Sequence, residues 1–99
     1  MRVGTVLTAE TFPEARKPSL KLTIDFGEEL GVKRSSAQLT ARYKPEELIG
    51  RQIVAAVNLG TRRIAGFESE VLVLGAMATA SDVVLLAVDQ SVPNGTRIA

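Results

Sequence analysis

Residues 20 to 27 read LKLTIDFG, and in this stretch Leu20, Leu22, Ile24 and Phe26 alternate with Lys21, Thr23 and Asp25. A period of two places the four apolar side chains on one face of an extended chain and the polar ones on the other. Such a strand needs a sheet to pair with and a core to face. It therefore commits the chain to β architecture more firmly than any other segment.

The rest of the chain supplies strand partners. VGTVLTA, residues 3 to 9, is rich in β-branched side chains and reads as a first strand, with Gly4 as its expected bulge. FPEARKPS, residues 12 to 19, carries two prolines and three charges and reads as a surface turn. Glycines bracket GEELG, residues 27 to 31, as punctuation before a shorter, more polar strand in VKRSSAQL, residues 32 to 39. In KPEELIG, residues 44 to 50, Pro45 suits a first helical turn, Glu46 and Glu47 follow it, and Gly50 marks a stop.

Three apolar runs of strand length come next: RQIVAAVN (residues 51 to 58), EVLVLG (70 to 75) and DVVLLAV (82 to 88). Their continuity predicts burial on both faces, against the core on one side and a second protomer or flanking segment on the other. Asn94 and Gly95 form a turn pair before an expected short last strand. Neither an internal repeat nor a linker interrupts the 99 residues, so one domain over 1–99 is expected, burying roughly 60 to 70% of its unfolded surface. Five or more short strands, with one short helix between the third and fourth, match an all-β, five-stranded OB-fold Greek-key barrel. An antiparallel sandwich satisfies the same periodicity.

Composition narrows function by subtraction. Cysteine and histidine are both absent, which removes the commonest zinc ligands, the Ser-His-Asp and Cys-His arrangements and the usual neutral-pH base. The acids paired at Glu28/Glu29 and Glu46/Glu47 point apart in a strand or a helix and cannot share a proton. The eight glycines never form a phosphate-cradling loop ahead of a helix. The expectation is therefore a non-enzyme with no cofactor and no metal. No apolar stretch approaches membrane-helix length and no signal peptide leads the chain, so a cytoplasmic protein is expected.

With 12 Lys+Arg against 11 Asp+Glu the net charge is +1, so any attraction to nucleic acid has to come from a local patch. The basic residues Lys33, Arg34, Arg42, Lys44, Arg51, Arg62 and Arg63 crowd the middle of the chain and can converge on an OB-fold groove. The competing reading is a solvated face. Only Phe67 and Tyr43 are available as stacking rings, because Phe26 alternates onto the core face. A structured RNA read by shape and backbone needs fewer rings than a single strand does. The surplus of aliphatic runs points separately to a homodimer seam or a pocket for unfolded peptide.

Further motifs are RVGTV (2 to 6), FPEARKPSLKL (12 to 22), GVKRSSAQ (31 to 38), YKPEELIGRQIVAAVNL (43 to 59), RRIAGFESEVLVLG (62 to 75) and VPNGTRI (92 to 98). With these the chain resembles the stand-alone tRNA-binding domain family, and within it the CsaA secretion-chaperone branch. The resemblance implies a homodimeric OB-fold that binds tRNA or tRNA-like RNA and acts on unfolded or presecretory proteins without catalysing a reaction. The alternative it leaves is a peptide-binding secretion chaperone with incidental RNA affinity. By position, the family's RNA-facing motif falls on Asn58, Arg62, Arg63, Gly66, Ser69 and Glu70, and Lys33 and Arg34 join them as expected phosphate contacts. RNA-binding members carry Gly-Met where this chain has Val71 and Leu72, which follows the chaperone branch. The chain begins at the RVG block without the leader usual in the family, so some dimer or helix contacts are expected to be missing.

Overall fold

A computed structural model describes residues 1–99. The main sheet has five antiparallel strands in the order β3-β2-β1-β4-β7: β1 (Arg2–Thr11), β2 (Leu20–Asp25), β3 (Val32–Ala37), β4 (Gln52–Ala56) and β7 (Leu72–Val73). β1 pairs with both β2 and β4, which gives the Greek-key connection of an OB-fold, and the one-turn helix α2 (Pro45–Leu48) lies between β3 and β4. Leu20, Leu22, Ile24 and Phe26 are all at most 1% exposed, so the alternation in β2 faces the core over its full length. Val6, Ala37, Leu39, Leu48, Ile53, Ala55 and Val71 complete that core.

The barrel closes without a continuous ladder. β3 meets the segment just before β7 through one backbone bond, Glu70 N–H to Arg34 O at 2.8 Å. Side chains supply the rest: Ser35 Oγ donates to Val71 O at 2.9 Å, and Ser36 N–H donates to Ser69 Oγ at 3.0 Å. The N–H of Arg34 donates to Glu70 Oε1, also at 3.0 Å. Short polar side chains thus satisfy buried strand-edge groups that backbone pairing leaves open.

Several expectations need correction. Gly4 is not a bulge; the irregularity in β1 falls between Val6 and Thr8. Gly4 is instead a point of close approach, where an added Cβ would sit 2.7 Å from Ile24 Cγ2 and 2.8 Å from the Phe26 ring. GEEL forms a helical turn, α1 (Gly27–Leu30), so the chain has a second short helix between β2 and β3. EVLVLG contributes only Leu72 and Val73 as strand, because at Gly75 the chain leaves β4 and begins β8 (Gly75–Thr79). DVVLLAV yields β9 (Asp82–Leu85), which pairs with β8 outside the main sheet. The expected last strand is a single bridge between Arg2 and Arg97.

Burial on both faces holds for β4, where Ile53, Val54 and Ala55 are all buried. It fails for the other two runs in the single chain: Leu72, Val84 and Leu86 are exposed, as is Met77 on β8. The β8–β9 hairpin has only one side to lay against the barrel, so its other side stays open.

Two contacts fasten that hairpin. The Tyr43 hydroxyl accepts the Leu85 N–H at 3.0 Å, and the Arg42 guanidinium grips both carboxylate oxygens of Asp82, with Nη2 to Oδ2 at 3.0 Å. The hydrogen bond from Arg42 lowers the Asp82 pKa, partial burial opposes the shift, and the Arg42 charge adds to it. A depressed carboxylate stabilises the fold above its ordinary value of 3.8 and loses that contribution as pH falls through the lowered value. The advantage of the wild type over Asp82→Asn in thermal midpoint is therefore expected to persist through mildly acidic pH and to fade only below the ordinary aspartate range. If that advantage has already vanished at about pH 5, the pair does not hold the hairpin.

Candidate nucleic-acid interface

Between β4 and β7 the chain makes a second small hairpin, β5 (Arg62–Ile64) and β6 (Phe67–Ser69), paired Arg62↔Ser69, Arg63↔Glu68 and Ile64↔Phe67. Its two-residue turn, Ala65–Gly66, has φ of +47° and +84°. Two consecutive positive φ values define the turn whose twist matches a tight hairpin, and Gly66 adopts its value freely. Ala65 does so against a penalty of about 1–2 kcal/mol. Gly66 thus shapes the turn that closes the hairpin on which Arg62 and Arg63 lie.

Adjacent residues of a strand point to opposite faces. Arg62 and Arg63 are both exposed, yet they serve different sides of the hairpin. Arg62 faces a cleft of about 900 Å³ between the barrel and the β8–β9 hairpin, whereas Arg63 lies across from Glu68 on the other face. Lys33 and Arg34 divide in the same way on β3. Lys33 shares the face of Ser35 and Ala37 and is half-buried, while Arg34 is outward and exposed.

Arg34 is already engaged. Its guanidinium lies 3.4 Å from Glu68 Oε2 and 3.6 Å from Glu70 Oε1, and 5.5 Å from the centre of the Phe67 ring. Exposed pairs of this kind are worth ~0–1 kcal/mol each, but together they neutralise the charge and fix the side chain on the hairpin. Glu70 and Ser69 belong to the same seam, and Ser69 is only 8% exposed, its hydroxyl held between Ser36 N–H and Val71 O. Asn58 stands exposed in the connection after β4, and its side chain makes no hydrogen bond. The structure therefore joins Arg34, Ser69 and Glu70 in the barrel seam and carries Arg62, Arg63 and Gly66 on the hairpin. Asn58 and Lys33 flank these two groups in sequence without bonding to either.

None of the four aromatic rings is free. Phe12 and Phe26 are buried. Phe67 packs edge-on to Phe12 at 5.5 Å, with Lys21 5.7 Å and Arg34 5.5 Å from its ring centre. Arg51 covers Tyr43 at 5.5 Å.

The cleft also gathers residues that sequence reasoning left in a solvated turn. Arg16 and Lys17 from the β1–β2 loop line it beside Arg62 and Ser36, with Leu39, Ile64, Leu72, Val73, Met77 and Val83 among the apolar lining. The basic pair in EARKPS was the available signal, but nothing local says which way that loop folds. Elsewhere, no group of three or more His, Cys, Asp or Glu side chains is arranged to hold a metal. No helix is long and apolar enough to cross a membrane.

The family described as "Putative tRNA binding domain" matches residues 1–97. A methionine–tRNA ligase of Methanothrix thermoacetophila is 43% identical over 98 residues, 99% of this chain but only 14% of the ligase. The chain thus spans a small part of the curated relatives that it matches. Among solved structures, chaperone CsaA from Bacillus anthracis is 61% identical with a TM-score of 0.94, covering 99% of this chain and 88% of that one. CsaA chaperone protein from Picrophilus torridus is 49% identical with a TM-score of 0.89, covering 99% and 89%. A MetRS-related protein from Pyrococcus horikoshii is 31% identical with a TM-score of 0.85, covering 99% and 87%. With the family match running over residues 1–97 and the two CsaA structures covered almost end to end, this chain belongs to the tRNA-binding domain family, in its CsaA branch.

Proposed function

We propose that the chain is a non-catalytic, cytoplasmic RNA-binding domain that takes tRNA or a tRNA-like fold, with the β5–β6 hairpin as its principal contact. The observation that carries this reading is the state of Arg62 and Arg63. Both are exposed at the base of an ordered hairpin and neither is in an ion pair, unlike Arg34. An unpaired guanidinium meets a phosphate without first giving up a carboxylate. Lys33 on β3 is likewise in no ion pair and is the third cation offered to phosphate.

The occupied rings favour a folded RNA over a single strand. Stacking on exposed aromatics is the usual source of single-strand affinity, and here every ring is buried or covered. Recognition through backbone and shape needs none. Asn58, exposed in the connection leading to the hairpin, is a polar side chain free to bond a ribose or a base.

Titrating tRNA over a range of salt tests the reading. The wild type is expected to give a linear log-log dependence, and Arg62→Ala with Arg63→Ala to shrink its slope by about 1.4 to 1.8 and weaken binding at low salt. An unchanged slope with unchanged affinity removes the hairpin from the interface.

A second reading rests on a separate observation. Leu72, Met77, Val84 and Leu86 leave aliphatic surface open on β7, β8 and the segment through β9, next to a cleft with an apolar floor. A second copy of this chain covering that face makes a homodimer, and unfolded or export-destined polypeptide held there gives a chaperone activity, in keeping with the names of the CsaA relatives. Apolar capture is not screened by salt, so protection of an unfolded client from aggregation should survive high salt. Loss of protection there counts against the chaperone half.

A further inference from the structure

We propose that Arg16, Lys17 and Arg62 form a phosphate track across the mouth of the cleft between the barrel and the β8–β9 hairpin, a second stretch of RNA contact that the β1–β2 loop completes. The inference rests on the RNA-binding reading and extends it to two residues outside the hairpin.

Charge is the first ground. The cleft lining includes these three cations and not one carboxylate, although acids and bases are nearly equal in number over the chain. None of the three is in an ion pair, a state they share with Lys33, Lys44, Arg51, Arg63 and Arg97, but they are the cations that line this cleft. Positive charge is therefore concentrated and uncompensated along one rim, where a low-dielectric wall strengthens its field.

Order is the second. The β1–β2 loop is not a free tether: Phe12 is 3% exposed, and its N–H donates to Ser19 O at 3.1 Å, closing the loop at its base. Within the loop, Ala15 N–H donates to Phe12 O at 3.2 Å and Ser19 Oγ to Lys17 O at 2.9 Å. Pro13 and Pro18 stiffen both ends. Arg16 and Lys17 thus face the cleft from a fixed backbone, which lowers the entropic cost of ordering them on a ligand. On OB-folds the loop after the first strand and the loop that here carries Arg62 flank the oligonucleotide face.

The lining also distinguishes ligands. No aromatic ring lines the cleft, and beside the cations its polar lining is Ser19, Ser36 and Gln38 over an apolar floor that includes Leu39, Ile64, Val73 and Met77. A polyanion held at the mouth by its backbone uses all three cations. An apolar polypeptide seated on the floor uses none of them.

The test compares Arg16→Ala with Lys17→Ala against Arg97→Ala, an exposed arginine beyond the Asn94–Gly95 turn, each titrated with tRNA over a salt series. Both loop residues are exposed, so folding is checked by thermal midpoint and is expected to be unchanged. The loop variant should shrink the log-log slope by about 1.4 to 1.8, so that between roughly 50 and 200 mM salt the wild type loses about tenfold more affinity than the variant. Arg97→Ala should leave the slope at its wild-type value. If the wild type binds tRNA and the loop variant keeps its slope, the track is overturned while the hairpin reading stands. If the wild type shows no salt-dependent tRNA binding, both fall. Loss of client protection in the loop variant with tRNA binding intact assigns the cleft to polypeptide and also overturns the track.

Discussion

Gly27→Ala is expected to lower folding stability by about 2 to 5 kcal/mol, and Gly95→Ala by a similar amount. The two glycines face each other across one backbone contact. Gly27 has φ +90°, and a Cβ there would lie 2.6 Å from the Asn94 carbonyl oxygen; Gly95 has φ +92°, and a Cβ there would lie 2.6 Å from the Phe26 carbonyl oxygen. Positive φ alone costs a side chain about 1–2 kcal/mol. The clash is with backbone, which cannot rotate away, and overpacking adds about 1–3 kcal/mol. The 92–96 segment is held to the barrel by Gly95 N–H to Val3 O at 2.7 Å, Arg2 Nη1 to Gly95 O at 2.9 Å, and Gln52 to both Val92 and Asn94. Forcing the segments apart strains these bonds as well. Both substitutions disturb one contact, so the double variant should lose less than the sum of the singles. Urea unfolding measures this, and a loss under about 1 kcal/mol for either single variant would show that the contact is loose.

Phe26→Ala should cost about 3–5 kcal/mol, the loss typical of emptying a buried aromatic site. Phe26 is fully buried, and its ring occupies the space that the missing Gly4 side chain leaves on β1. Gly4→Ala alone should cost about 1–3 kcal/mol, because its new methyl would meet the Phe26 ring at 2.8 Å and Ile24 at 2.7 Å. With the ring removed, one of those two collisions disappears. Gly4→Ala is therefore expected to cost less in the Phe26→Ala background than in the wild type. Equal costs in both backgrounds would mean that the ring and the β1 backbone are not in the contact described.

Much of this framework is legible from local pattern. The alternation in β2 needs only the two-residue repeat of a strand, and all four of its apolar residues are in the core. Pro45 and the acids after it mark α2 because a first helical turn tolerates proline and favours negative charge. The chain is less legible where a segment's partner is distant or changes. EVLVLG has the composition of one strand, but it serves the seam through Glu70 and Val71, β4 through Leu72 and Val73, and the outer hairpin from Gly75. β8 is built from Gly, Ala, Met and Thr, with little strand preference of its own, and forms because β9 is there to pair with it.

The site divides along the same line. The doubled arginines in NLGTRRIAGFES stand out in sequence and lie on an exposed hairpin. That Arg34 is neutralised depends on Glu68 and Glu70, more than thirty positions away, and no spacing rule links them. That Arg62 and Arg63 face opposite ways follows from strand geometry only once β5 is known, and their adjacency in sequence does not show it.

The most direct test of the account is an amide chemical-shift map of the protein titrated with tRNA. The account predicts shifts concentrated in the β5–β6 hairpin around Arg62, Arg63 and Gly66, extending to the loop carrying Arg16 and Lys17, with α2 and the β8–β9 strands little moved. Shifts confined to the open aliphatic face of Leu72, Met77, Val84 and Leu86, with the hairpin silent, would contradict it.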